Sequence, residues 1–405
     1  MRTPKLHSVR ADDAQLGQPR NTKRPLLAAS VFAISALILS GCAATAPEST
    51  TPGTADVDVT AAVEAAKAAV VEGMKRPTTL SILQLPEKPA PGGVIDVISC
   101  SVPSCQEFAT IVAGAIEPLG WTVKFISAGI TTESLAAAYD QALRDKPNGV
   151  IGSGGFDPKL VVRQLADLEA AGIPVVMQYA SAEEPIPGLT AIVYGSGAAE
   201  ANGTLLGNAI LADSNGEGAN VLYLGTQEVA NNYKWTRTGA KSVLEAPNSC
   251  NRCTSKVFDF TLSQIGGDLP GLLVSYLRAN PDINYVVADF ADPLNGVPQA
   301  LAQAGLDDKV KVLSNGVGAI TAEYLKAGQI FAGAYNPNLE VLWNDAAVIF
   351  AINQGVDLGL DSRGEVANLP AMLITQENVV LPPADSYWPM VENYQELFWK
   401  AWKVS

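Results

Sequence analysis

From Val94 onwards the chain alternates short apolar runs with stretches of helical period. Val94–Ser99 (VIDVIS) is an apolar run of strand length, and Trp121–Ile126 is a second one after a Gly turn. Between Thr131 and Arg144 the apolar positions Leu135, Ala138, Tyr139, Ala142 and Leu143 recur at i, i+3, i+4, i+7 and i+8, which predicts a helix. Gly149–Ser153 follows as a strand. Asp157 and Pro158 then open a helix as cap and first residue, and Gly172 closes it. Strands are predicted at Ile173–Gln178 and Ala191–Tyr194, and a helix at Ala198–Ala212.

The pattern then restarts. Strands are predicted at Asn220–Leu224, Lys256–Phe260, Tyr285–Asp289, Val310–Ser314 and Ile330–Ala334. Helices lie between them at Tyr233–Glu245, Leu269–Ala279, Leu294–Gln303 and Ala319–Ala327. Apolar strands separated by amphipathic helices predict parallel sheets covered on both faces, so the fold class is α/β with two doubly wound, Rossmann-like lobes. A faint repeat links the halves. Gly155-Phe156-Asp157-Pro158 leads to a helix ending Ala171-Gly172-Ile173, and Phe290-Ala291-Asp292-Pro293 to one ending Ala304-Gly305-Leu306. Ligands of such sheets sit beyond the carboxyl ends of the strands.

The N-terminus has a different texture. Arg2, Lys5, Arg10, Arg20, Lys23 and Arg24 precede an uncharged run from Pro25 to Ser40, which ends Leu39-Ser40-Gly41-Cys42. A basic start, a short apolar stretch and small residues describe an export signal, here residues 1–41. The last four residues look like a bacterial lipobox, whose Cys, here Cys42, is acylated. The apolar run of 16 is short for a membrane span of ~20 residues. Residues 42–93 read as tether and linker: Ser/Thr/Pro/Ala-rich to Thr60, a short helix over Ala61–Lys75, then Arg76–Gly93 with four prolines. The folded body is expected to start near Val94.

Composition narrows the chemistry. The 405 residues carry 41 acidic and 27 basic side chains, and residues 42–405 carry 39 and 21, a net charge of −18. That balance excludes nucleic acid as a partner, because phosphate binding needs Lys and Arg clusters. The one His is His7, inside the export signal, so the exported body has no His for nucleophile activation or metal ligation. Four cysteines follow Cys42. In an exported chain, the close pairs Cys100/Cys105 and Cys250/Cys253 predict two local disulfides. A Cys₄ zinc site and a CxxC redox motif at Cys250-Asn251-Arg252-Cys253 stand as alternatives. No cofactor is expected.

The segments PNGVIGSGGFDPKLVVRQLADLEAAGIPVVMQ, TAIVYGSGAAEANGTLLGNAI and KVLSNGVGAITAEYLKAGQIFAGAYNPN resemble type I periplasmic binding proteins of the ribose-binding class, over about residues 92–380. The resemblance implies a monomeric solute-binding lipoprotein on the outer face of a bacterial cell membrane. Its two lobes would close on a small polar ligand, a sugar above all, and deliver it to the permease subunits of an ABC importer. The implied lobes are 94–195 with 337–372, and 196–336 with 373–405, the chain crossing near Gly195–Gly197, Tyr335–Pro337 and Met372–Val380. The Trp-rich C-terminus (Trp388, Trp399, Trp402) is expected as a helix on the second lobe.

Position by position the implied pocket departs from the sugar binders. Their Asn-Pro-aromatic loop is here Ser101-Val102-Pro103-Ser104-Cys105, which keeps the Pro and loses the Asn and the rings. Their Asp-Arg pair is here Tyr179-Ala180, after Gln178. Lys234 falls at a ligand-gripping Arg, with Trp235 and Arg237 beside it, and Asp289 or Asp292 falls near an Asn-Asp pair. Asn315 replaces an Asp, and Tyr335, followed by Asn336, replaces a Gln. With Phe156 after its strand, the implied ligand set is Ser101, Ser104, Phe156, Gln178, Tyr179, Lys234, Trp235, Asp289, Asp292, Asn315, Tyr335 and Asn336. A nucleoside, a polyol or a signal molecule are alternative ligands, and a receptor is an alternative partner. A remote alternative is an extracellular enzyme using Asp289 and Asp292 as an acid–base pair.

Overall fold

The computed structural model describes residues 56–100, 107–129, 131–180, 182–366, 369–382 and 387–404. Cys42, Ser101, Ser104 and Cys105 lie outside these residues. Helix α1 (Thr60–Gly73) comes first. The first sheet holds β1 (Val94–Cys100), β2 (Thr122–Gly129), β3 (Gly149–Gly152), β4 (Val175–Gln178) and β5 (Ala191–Val193), all parallel, in the order β2-β1-β3-β4-β5. Helices α2 (Phe108–Ile116), α3 (Thr132–Asp145) and α4 (Val162–Ala170) connect them. Thr131 caps α3 by accepting the Ser134 N–H at 3.1 Å, and Asp157 accepts the Lys159 N–H at 2.9 Å.

After α5 (Ser196–Ser214) a second sheet is built from β6 (Asn220–Gly225), β7 (Thr254–Asp259), β8 (Tyr285–Ala288), β9 (Lys311–Asn315), β10 (Ala332–Tyr335) and β11 (Met372–Ile374), in the order β11-β10-β9-β8-β6-β7. All neighbours are parallel except β11, which runs antiparallel to β10 with Tyr335 opposite Met372. Helices α6 (Ala230–Leu244), α7 (Leu269–Ala279), α8 (Val297–Ala304), α9 (Ala319–Lys326), α10 (Asn338–Asn353) and α11 (Tyr394–Ala401) complete the chain. Central strands such as β6 and β8 are apolar on both faces because helices cover both.

Two expectations need correction. The stretch before Val94 is not a free linker. Val63 and Ala66 of α1 are buried with Leu206 and Ile210 of α5. Farther on, Leu85 is buried among first-sheet residues and its N–H donates to the Ala401 carbonyl at 3.0 Å. Burial of these apolar side chains makes α1 and the stretch after it part of the folded body. Nor does the terminal helix pack on the second lobe. Tyr394, Phe398 and Trp402 surround Trp343 of α10 in the core that holds Ile95 and Val97 of the first sheet.

The chain therefore passes between the sheets more often than expected. It does so after β5, after β10 and before β11. It also does so between α1 and Leu85, and between Met390, in the second-sheet core, and Val391, in the first. The last two strands of chain are tied together. Arg76 donates to the Pro389 carbonyl at 2.7 Å, to the Met390 carbonyl at 2.9 Å and to Glu392 at 2.7 Å.

Cys250 and Cys253 are joined in a disulfide with Cα atoms 5.8 Å apart. Its loop holds the start of the described chain: Asn251 both accepts from the Val57 N–H and donates to the Val57 carbonyl, each at 3.0 Å. Cys100 is also disulfide-bonded.

Candidate functional site

The carboxyl ends of both sheets face a cleft of about 580 Å³, inside the ~300–1,000 Å³ range of small-ligand sites. From the first lobe come Cys100 at the end of β1, Glu107 and Phe108 at the start of α2, Gly154, Gly155 and Phe156 after β3, and Tyr179 after β4. Gly154 and Gly155 have φ of 105° and 71°, a conformation other residues rarely adopt, which lets the backbone turn beneath Phe156. The second lobe contributes Val229 and Asn232 around the start of α6, and Leu262 and Ile265 after β7. It adds Phe290, Asp292 and Asn295 after β8, and the run Asn315–Thr321 after β9. Asn336 and Asn338, where the chain crosses, and Tyr387 close the cleft.

Of the predicted ligand set, Phe156, Tyr179, Asp292, Asn315 and Asn336 line this cleft. Asn202 of α5 holds two of them, donating to Asn315 Oδ1 at 2.9 Å and Asn336 Oδ1 at 2.6 Å. Asn315 in turn donates to Thr236 at 2.8 Å. The Tyr179 hydroxyl donates to Asn338 Oδ1, and burial holds its pKa well above the ordinary value, so it stays a neutral donor.

The others are placed elsewhere. Gln178 is buried behind the wall and donates to Ser153 Oγ at 2.5 Å. Lys234 points outward, paired with Glu183 and 4.5 Å from the centre of the Trp235 ring, while Arg363 approaches that ring at 5.4 Å. Tyr335 is fully buried, stacked on Trp388 with ring centres 4.1 Å apart. Asp289 is fully buried as the partner of Arg237, 3.3 Å away, below the cleft rather than in it. Burial pushes the Asp289 pKa up to about 7 against the opposing pull of Arg237. Gly225 makes room for the pair, since a Cβ there would run into the Asp289 carboxylate. The Arg237 guanidinium lies 3.5 Å from the centre of the Tyr233 ring. Of the two carboxylates of the enzyme alternative, Asp289 is buried in an ion pair outside the cleft lining and Asp292 lines the cleft.

Several lining residues had no place in the predicted ligand set: Glu107, Phe108, Asn232, Phe290, Asn338 and Tyr387. One signal was available. Phe156 and Phe290 occupy the same place in the internal repeat and line the cleft from opposite lobes. Burial above all holds the Tyr387 hydroxyl above its ordinary pKa, with Asp292 and Glu107 adding to the shift.

A two-lobed molecule with its cleft at the strand ends matches the model of the periplasmic binding protein domain over residues 105–348. The chain belongs to that family. Membership makes it a ligand-binding protein with an extracytoplasmic location. None of the curated protein sequences matches it. Among solved structures, GanP, a glucose-galactose binding protein from Geobacillus stearothermophilus, is similar at 18% identity and a TM-score of 0.61, covering 73% of this chain and 100% of GanP. An ABC transporter solute-binding protein from Bacillus halodurans with bound myo-inositol has 21% identity and a TM-score of 0.57, covering 72% of this chain and 96% of its own. XylFII in a complex with LytSN has 18% identity and a TM-score of 0.59, covering 72% and 99%. At these identities the likeness is one of fold.

Proposed function

We propose that this protein captures a small polar solute, a sugar or polyol, between its two lobes and hands it to an ABC importer, held at the membrane by a lipid on Cys42. The observation that carries the reading is the cleft itself. It takes walls from both sheets and combines ring faces with side-chain amides, the two kinds of group that cover the CH faces and meet the hydroxyls of a sugar. A solved neighbour named a glucose-galactose binding protein and another with bound myo-inositol support it. Import fits a monomer whose closed form differs in shape from the open one. The lobes that move would be the two sheets with their helices, α1 riding on the second and α11 on the first.

The test is thermal unfolding of the purified chain against a panel of sugars and polyols. A saturable rise in Tm with one of them is expected, and its loss in Phe156→Ala. Absence of any rise across the panel would refute the reading. XylFII bound to LytSN gives a second reading some support, in which the loaded protein signals to a protein partner instead of a permease. Membrane vesicles holding the cognate permease and ATPase separate the two: solute uptake that depends on this protein supports import.

A further inference from the structure

Two amides of the cleft are held from behind by one buried side chain. Asn202 of α5 is 1% exposed. Its place is set by the close approach of α5 to α6, since a Cβ on the neighbouring Gly203 would meet the Thr236 carbonyl oxygen at 2.0 Å. A buried side chain with a fixed position can fix the groups it touches.

An amide has a donating and an accepting end, and its partners decide which way it faces. Asn202 Nδ2 donates to Asn315 Oδ1 and to Asn336 Oδ1, so both carbonyl oxygens turn towards the protein. Asn315 is held at its other end as well, because its Nδ2 donates to Thr236 Oγ1. Asn336 lines the cleft with its Nδ2 end turned away from Asn202. That nitrogen lies 3.4 Å from the point a Cβ on Gly316 would occupy. Gly316 also lines the cleft, with a φ of 99° that favours glycine, and leaves that space open in front of the NH₂ group.

We propose that Asn202 is a positioning residue for solute selectivity: it locks Asn336 with its NH₂ group towards the solute. The cleft then takes, at that point, a solute oxygen that accepts a hydrogen bond. A group with only hydrogens to give finds no acceptor on Asn336. This rests on the solute-binding reading and adds which end of the amide the solute meets.

The test is calorimetric titration of the full chain with glucose, galactose, ribose and myo-inositol, then with singly deoxygenated and singly fluorinated analogues of those that bind. Fluorine on carbon accepts a hydrogen bond and donates none, whereas the hydrogen of a deoxy analogue does neither. At one ring position the fluoro analogue should bind about three-fold or more tighter than the deoxy one. Asn336→Asp keeps the bond from Asn202 and sets a carboxylate oxygen where the NH₂ stood, so the fluoro analogue should fall to the deoxy level or below. Asn202→Asp only accepts, so it turns both amides round and should abolish the same advantage. Asn202→Leu frees Asn336 to turn and should shrink the advantage below about two-fold. A merely structural Asn202 would weaken parent and analogues in proportion. Ratios unchanged in the Asn202 variants, or no fluoro advantage at any position of the wild type, overturn the proposal and leave the solute-binding reading standing. Binding of none of the four parents contradicts both.

Discussion

The two lobes follow one plan but contribute different chemistry. The first lobe brings rings to the cleft, Phe108, Phe156 and Tyr179, around a turn made of glycines. The second brings side-chain amides, Asn232, Asn295 and Asn315, together with Phe290. Their buried charges differ too. Asp96 of β1 is buried with its carboxyl pushed up to about 6 by burial and by Asp145, opposed by Lys124. Asp289 at the end of β8 is buried against a committed Arg237. The first lobe is therefore a wall of rings, and the second mixes amides with the apolar side chains of Val229, Leu262, Ile265 and Ile320 above an ion-paired base. Rings and amides come together only where the two lobes face each other across the cleft.

The largest expected effect breaks the base of the second lobe. Arg237→Ala leaves the Asp289 carboxyl without its partner in a buried site, which should cost ~3–5 kcal/mol of folding stability above pH 7. The loss should shrink near pH 5, where Asp289 is protonated in the folded state. Urea unfolding at the two pH values checks both parts.

Next comes the contrast between the walls. Phe156→Ala removes a ring face, worth ~1.5–3 kcal/mol when fully covered, and should weaken solute binding about 10- to 100-fold. Asn232→Ala removes one amide, worth ~0.5–1.5 kcal/mol, and should weaken it about 2- to 10-fold. If titration finds the amide dearer than the ring, the division of labour between the lobes is wrong.

A smaller effect concerns the carboxyls buried away from the cleft. Glu340 of α10 accepts the Val391 N–H at 2.9 Å, and burial pushes its pKa up to about 7. A carboxyl whose folded pKa lies above its unfolded value holds more protons when folded. Its contribution is complete below pH ~4.5 and is lost as the pH rises through about 7. Wild-type Tm should therefore fall between pH 5 and 7.5, and Glu340→Gln should flatten that slope. The smallest effect is at the surface. Arg252 pairs with Asp56 and Glu217 in the open, so Arg252→Ala should change stability by less than ~1 kcal/mol in a thermal melt.

The alternating part of the chain was legible because parallel strands buried on both faces and helices with one apolar side leave opposite periodic marks. Helix α10 left none: Val341–Ala351 is buried all round, so no amphipathic period identifies it. The strap before Val94 looked like a linker because its four prolines and polar residues mask Leu85, whose burial depends on partners 300 residues away. Of the predicted residues at or after strand ends, Phe156, Tyr179 and Asn315 line the cleft. Lys234 and Asp289 lie outside the cleft lining, and family position says nothing about which local partner has already claimed a charge, Glu183 for one and Arg237 for the other. Tyr387 reaches the cleft from the far end of the chain, a contact that only the folded topology creates.

The most direct measurement is small-angle scattering of the full chain with and without the solute that raises its Tm, in wild type and in Phe156→Ala. A solute held between two lobes should reduce the radius of gyration of the wild type on saturation and leave the variant unchanged at the same concentration. An unchanged radius in the wild type at full occupancy, or an equal contraction in the variant, would contradict a cleft that closes on its ligand.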